Sequence, residues 1–403
     1  MEIILLNISG EDKPGVTSTL TDVLSRYNVN ILDIGQAVIH KELGLGILFE
    51  VPEKSESSPI LKDLLFKGYE AGMNIKFTPI PKNQYNTWVK QQGKPRYILT
   101  LMSKKLTAKQ LSKATDIIAE QGLNIDIISR LSGRIPIESK NSHKQSVVEF
   151  SVRGKPGDIE KMKTSFIKIA GETGMDIAFQ EDNIFRKNRR LICFDMDSTL
   201  IQTEVIDELA KKAGVYDKVS SITEKAMRGE IDFNQSFIER VKLLKGLDES
   251  VMRDIADNLP LTQGSERLFK TLKKYGYRTA ILSGGFNYFG NYLKNKLGID
   301  YVFANELEIE NGKLTGNHSG DIIDGNKKAE LLKLLAFKED IHLEQVIAVG
   351  DGSNDLPMLQ KAGLGIAFHA KPKVKASASH SISTIGLDAI LYLLGFRDRE
   401  INQ

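Results

Sequence analysis

Apolar positions recur along this chain with two periods, and the switches between them mark its elements. Residues 3–8 form an apolar, strand-like run. Asp12-Lys13-Pro14-Gly15 reads as a turn at a helix start, after which Val16, Leu20, Val23 and Leu24 fall on one helical face. Residues 31–39 and 45–51 read as strands joined by a Gly-containing turn, 59–71 as a second helix and 75–79 as a last short strand. The order β-α-β-β-α-β predicts a ferredoxin-like sandwich. Residues 81–95 are polar and read as a linker, whose single Trp88 is expected to pack against a neighbouring domain. The order then returns, with strands at 97–101, 124–131, 145–152 and 176–180 and helices at 107–120 and 158–171. The phrases YNVNILDI and QGLNIDII occupy matching places after the first helix of each copy, so the first 180 residues are an internal repeat. The longer polar stretch 132–144 in the second copy predicts a mobile hairpin loop.

From Arg190 the rhythm becomes strand-helix alternation, with apolar strands at 191–194, 278–282 and 346–349. That pattern predicts a doubly wound parallel sheet. A helical stretch at about 204–258 interrupts it after the first strand and has the size of a cap. The expected organisation is a module at 1–80, a linker at 81–95, a second module at 96–182 and an α/β domain at 183–403.

Composition adds limits. A chain of 403 residues holds two to three domains, and 41% hydrophobic with 27% charged residues is ordinary for a globular protein. The net charge is +3, and no basic cluster is interleaved with aromatics, so no nucleic-acid partner is expected. The basic run Arg186-Lys187-Asn188-Arg189-Arg190 reads as a solvated linker. Cys193 is the single cysteine, which excludes an internal disulfide and fits a reducing compartment; within its apolar strand it reads as an inert buried thiol. The N-terminus lacks the pattern of a signal peptide, and no apolar run approaches the roughly 18 residues of a membrane span. A cytoplasmic protein is expected.

The chemistry concentrates at strand ends. Asp195-Met196-Asp197-Ser198 follows Leu191-Ile192-Cys193-Phe194, at the mouth where open α/β sheets place ligands. Two acids that close repel unless a cation lies between them, and hard oxygens favour Mg²⁺. A carboxylate there can also attack a phosphoryl group. The second strand is followed by Ser283-Gly284-Gly285, whose hydroxyl and amides can hold phosphate oxygens. The third is followed by Gly350-Asp351-Gly352-Ser353-Asn354-Asp355, whose acids can complete a metal site. Lys328, at a helix start, can supply a fixed positive charge. Each element alone has a bland reading as turn, strand exit or surface lysine; their joint occurrence in chain order favours a phosphoryl-transfer site.

The paired β-α-β-β-α-β modules resemble tandem ACT domains, small-ligand sensing units attached to amino-acid enzymes, with DKPGV at residues 12–16 as the local signature. CFDMDSTL, LSGGF, Lys328 and VGDGSND resemble the four motifs of the haloacid dehalogenase superfamily. Within it, the text of residues 190–395, including TEVIDELAKKAGV and ITEKAMRGEIDFNQSFIERVKLLKG, resembles the phosphoserine phosphatase family. That resemblance implies Asp195 as nucleophile and Mg²⁺ ligand, and Asp197 as general acid and base with its carbonyl on the metal. Asp351 is implied as the third metal ligand and Asp355 as a support. Ser283, Gly284 and Lys328 would bind the phosphoryl group, and Asn354 would orient the substrate. Glu204, Met227, Phe233 and Arg240 of the cap would surround a serine moiety. A zwitterionic amino acid needs one carboxylate and one guanidinium, which Glu204 and Arg240 provide. Another small phospho-monoester, such as phosphohomoserine, is the alternative substrate. An L-serine effector is expected at the first ACT-like module, with Asp12 and Gly15 at the helix start holding its carboxylate and Asn30 and Asp33, at the entry of the next strand, reaching it across a paired module. A homodimer is the expected assembly.

Overall fold

The computed structural model describes residues 2–52, 56–138 and 145–401. It forms two compact units, Met1–Lys94 and Pro95–Gln403. The expected hairpin loop at 132–144 falls partly on residues 139–144, which lie outside the described set.

The first unit opens with an antiparallel sheet of β1 (Glu2–Glu11), β2 (Asn30–Ile39), β3 (Glu42–Val51) and β4 (Asn74–Ile80), in the order β2-β3-β1-β4. Helices Val16–Arg26 and Ser57–Glu70 cover one face. All four residues of the expected apolar stripe, Val16, Leu20, Val23 and Leu24, are buried. They meet the alternate positions Leu43, Leu45, Ile47 and Phe49 of β3 in one core. The polar segment read as a linker is instead a helix, Lys82–Gln91, begun by Pro81. Polarity alone suggested a linker, but no breaker interrupts the run, and Pro is well suited to a helix start. Trp88 in it is half-buried and 5.8 Å from Tyr85.

The second copy repeats the sheet with β5 (Arg96–Ser103), β6 (Asn124–Arg130), β7 (Ser146–Arg153) and β8 (Asp176–Glu181), in the order β6-β7-β5-β8. The repeat reaches to a shared irregularity: register slips between Ile31 and Asp33 on β2, and between Ile125 and Ile127 on β6. These lie inside the two matching phrases, so the same bulge recurs in both modules.

The two copies differ in what covers the second sheet face. Leu99 and Leu101 of β5 pack under the module's own helices. Met102 of β5, Val147 of β7 and Ala178 of β8 belong to the same core as Ile192 and Phe194 of the α/β domain. The last six residues of β5 are therefore all buried, as in a strand covered on both faces. Polar ties follow the same seam. The Asp176 carboxylate accepts from the Ser383 and Thr384 amides at 2.7 and 2.9 Å. The Leu131 carbonyl accepts from the Asp398 amide at 3.0 Å. The basic run at 186–190 is part of this joint rather than a solvated linker: Arg186 pairs with Glu149 at 2.6 Å and Arg189 donates to Gln180 at 3.0 Å, both arginines being buried.

The α/β domain has a seven-stranded sheet of β9 (Leu191–Phe194), β10 (Arg278–Phe286), β11 (Tyr301–Glu310), β12 (Lys313–Ser319), β13 (Val346–Gly350), β14 (Leu364–Phe368) and β15 (His380–Ile382). Its order is β12-β11-β10-β9-β13-β14-β15, parallel except for the β11–β12 pair. The central β9 pairs with β10 on one side and β13 on the other. Chain direction thus splits there, and the loops after these three strands open on one crevice. Cys193, inside β9, is fully buried, and burial pushes its thiol pKa up. Helices Val205–Ala213, Tyr216–Met227, Phe233–Lys242 and Ser250–Asp257 form the cap expected at 204–258.

Candidate active site

The carboxylates of Asp195, Asp351 and Asp355 converge, each offering an oxygen within 4.8 Å of the others. Asp195 follows β9, and its amide donates to the Val349 carbonyl at 2.9 Å, which locks the first loop onto β13. Lys328, fully buried in helix Gly325–Lys338, places its ammonium 2.8 Å from Asp195 and 2.7 Å from Asp355. Burial alone would lower the lysine's pKa, but the two carboxylates outweigh it and hold the pKa up. Thr199 donates to Asp351 at 3.1 Å and fixes its orientation.

Three acids around one lysine leave negative charge uncompensated. Burial, and then the charges of Asp195 and Asp355, push Asp351 up to about 8. Burial and Asp195 push Asp355 up to about 6 against the opposing effect of Lys328. A hard divalent cation would relieve this repulsion, and the all-oxygen donor set fits one. The side-chain trio holds Asp355, expected as a support, beside Asp195 and Asp351, whereas Asp197 was expected to reach a metal through its backbone carbonyl. The Asp197 carboxyl turns instead to the cap, where it accepts from the Val205 amide at 3.2 Å. Enclosure by protein, then the charges of Glu204 and Asp195, raise its pKa well above the usual range. A carboxyl group whose pKa is raised in this way is suited to general-acid work.

The phosphate loop is equally constrained. Ser283 is buried and its Oγ accepts from the Gly285 amide at 2.9 Å. A Cβ at Gly285 would lie 2.6 Å from Asp197 Oδ2, and one at Gly284 would lie 2.9 Å from the ring of Phe233. Both glycines therefore serve close approach. Asn305 of β11, which sequence reasoning did not single out, holds this loop: its amide donates to the Gly284 carbonyl and accepts from the Ile323 amide, each at 2.8 Å. A polar residue inside the apolar run YVFANELEIE was the available signal.

From the cap, Phe233 reaches Gly284, and Arg240 lies near Glu204, Asp207 and Asp197. Burial lowers the Arg240 pKa and those three carboxylates oppose the shift. Glu204 is open to solvent at the mouth of the cleft but ringed by protein, which raises its pKa, while Ser198 Oγ donates to it at 2.7 Å and counters the rise. Ser198 holds this contact from a left-handed backbone, with φ of 56°. Asn354 sits half-buried in the β13 loop, between Asp351 and Asp355. The side chain of Met227 lies outside the described residues.

The residues expected at the effector site of the first module lie at two places on it. Gly15, at φ 94°, caps its helix beside the end of β1, where Glu11 pairs with Glu42. Asn30 and Asp33 pair with Glu50 and Leu48, six to eight positions along β3.

Comparison with known proteins agrees with this architecture. Residues 2–78 match the ACT domain model, and residues 192–360 match that of haloacid dehalogenase-like hydrolases. A solved hydrolase of that family from Salmonella enterica serovar Typhi superposes with a TM-score of 0.63 at 30% identity, covering 74% of this chain and 98% of its own. The fold and site thus define an ACT-bearing haloacid dehalogenase-like hydrolase. A phosphoserine phosphatase of Streptomyces coelicolor is 38% identical over 99% of this chain and 93% of its own length. One from Mycobacterium tuberculosis is 36% identical over 99% and 94%. The chain belongs to the phosphoserine phosphatase family.

Proposed function

We propose that this chain hydrolyses O-phospho-L-serine to L-serine and phosphate, the last step of serine synthesis. One observation carries the reading: a buried Asp195–Lys328–Asp355 cluster faces a cap that brings Glu204 and Arg240 to the same mouth. Mg²⁺, when bound, would be held by Asp195, Asp351 and the Asp197 carbonyl, beside Asp355, and would offset charge on the phosphoryl oxygens. Asp195 attacks phosphorus in line, and the bond from phosphorus to the serine oxygen breaks as Asp197 gives that oxygen its proton. Asp197 then takes a proton from water, which attacks phosphorus and releases phosphate from Asp195. Lys328, the Ser283 hydroxyl and the Gly284 amide stabilise the transferring oxygens. Arg240 takes the substrate carboxylate, Glu204 its ammonium, and Phe233 and Met227 wall off water, with Asn354 orienting the phosphoryl end.

Phosphate release from phosphoserine, phosphohomoserine and p-nitrophenyl phosphate, each with and without Mg²⁺, tests the reading. Preference for phosphoserine that depends on Mg²⁺ is expected; equal rates on all three would overturn it. We also propose a cytoplasmic homodimer with an L-serine effector at the first ACT-like module. The exposed, glycine-started helix at Gly15 supports a carboxylate there. Asn30 and Asp33 would reach the same ligand from a paired module. Weakened, not abolished, serine inhibition in Gly15→Val, with a full-length dimer retained, is the expected result.

A further inference from the structure

A second cavity, of about 430 Å³, lies at the root of the cap. The cap joins the α/β domain through two chain segments that pair like a short β-ladder. Ile201 bridges Leu261, the Gln202 amide donates to the Pro260 carbonyl at 2.9 Å, and the Thr262 amide donates to the Leu200 carbonyl at 2.9 Å. Ser198 and Gln202 of the first segment and Thr262 and Gln263 of the second line the cavity. Its opposite wall is Lys104 and Gln145, both from the second ACT-like module. Lys104 stands in the β5-to-helix loop, the place that Lys13 and Gly15 occupy in the first copy.

The lining has a definite polarity. Among the described residues that line it, Lys104 is the only one with a permanent charge, and no carboxylate is present. Gln145 is fixed by its Nε2, which donates to Asp388 at 3.2 Å, and its Oε1 is buried without a partner among the described residues. A buried acceptor left unpaired is costly, and a ligand donor would satisfy it. The wall is also one residue thick on the catalytic side, since Ser198 donates to Glu204, the carboxylate assigned to the substrate ammonium.

We infer that this cavity is an effector site for a small anion that carries a hydrogen-bond donor, a carboxylate or a phosphate, with Lys104 binding the anion and Gln145 accepting from the donor. Occupancy bridges the second module to both hinge segments, so it favours one setting of the cap and reaches the active site through Ser198. Binding that prefers one cap position changes turnover without competing for the catalytic cleft. The inference rests on the phosphatase reading.

The test uses the full chain and the two product molecules, L-serine and inorganic phosphate, as separate probes. Lys104→Glu and the conservative Lys104→Arg are compared with the unaltered protein, with Gly15→Val marking any effect of the first module. Expected is a non-competitive component of inhibition by one of the two probes. It should weaken at least ten-fold in Lys104→Glu, survive in Lys104→Arg and Gly15→Val, and accompany slower hydrogen exchange at 198–204 and 258–264. Which probe responds assigns the anion as carboxylate or phosphate. Inhibition that is purely competitive, or identical in Lys104→Glu, overturns the inference while leaving the phosphatase reading intact. Absence of phosphoserine turnover in the unaltered protein would fail that reading instead, and exchange protection by the probe at the hinge, lost in Lys104→Glu, would still decide the site.

Discussion

Asp195 and Lys328 lie 133 positions apart in sequence and 2.8 Å apart in space, so the chemistry of each is set by the other. Asp195→Asn removes both the nucleophile and half of the ammonium's ion pairing, and should lower phosphate release by roughly 10³-fold or more. Trapping of a phospho-enzyme on any other residue would contradict its role. Glu204→Gln and Arg240→Ala should cost phosphoserine turnover roughly 2–5 kcal/mol in kcat/KM, with little change for p-nitrophenyl phosphate, because each removes one charge partner of the amino acid. Gly285→Ala places a methyl 2.6 Å from Asp197 Oδ2 and should impair turnover while the thermal midpoint moves little. At this scale the sequence was highly legible, since Asp195, Asp351 and Lys328 each follow a recognisable strand or begin a helix. The partners Ser198–Glu204 and Asn305–Gly284 were not, because a single side-chain hydrogen bond leaves no periodic trace.

Elements of one type diverge by what covers them. The first copy starts its leading helix with an exposed Gly15, whereas the second uses Thr107, which accepts from the Gln110 amide while the Gln110 side chain accepts from the Thr107 amide at 2.8 Å. The second start thus satisfies two of its own amides, which the first leaves open. The second sheet has likewise surrendered its open face to the α/β core through Met102, Val147 and Ala178. Asp176→Ala, which strands the Ser383 and Thr384 amides, should lower stability by roughly 2–4 kcal/mol, read as a shift in the urea midpoint. An unchanged midpoint would mean the seam bears no load. The helix Lys82–Gln91 shows the limit of pattern reading: its apolar residues are too few to make a stripe, so only backbone propensity marked it.

For the whole molecule, the compact division at Lys94–Pro95 predicts where the chain can be cut. A protein beginning at Pro95 should fold and turn over phosphoserine. One beginning near Arg186 should aggregate, because it bares the core face that Met102 and Val147 cover. His380 adds a pH dependence at the same seam. It bonds the Phe179 carbonyl at 3.0 Å, and burial, with Arg189 nearby, lowers its pKa to about 4. The folded state therefore holds it neutral while an unfolded chain takes up a proton near pH 6.5. Its contribution is complete above that pH and is lost as pH falls from 6.5 towards 4. The ring is partly exposed, so roughly 1–2 kcal/mol is expected. The thermal midpoint of His380→Gln should fall less steeply across that window than that of the unaltered protein.

Short-range signals alone determined the two repeated modules, the parallel sheet, the cap and the strand-end acids, because periodicity and turn chemistry are local. Tertiary structure decided the rest. It joined the second module to the catalytic domain, buried Arg186 and Arg189 in the joint, set Asp355 in the carboxylate trio, and placed Asn30 and Asp33 opposite Glu50 and Leu48. Each of these depends on which faces meet in the folded chain or on the register between strands, and neither quantity is written in any one segment.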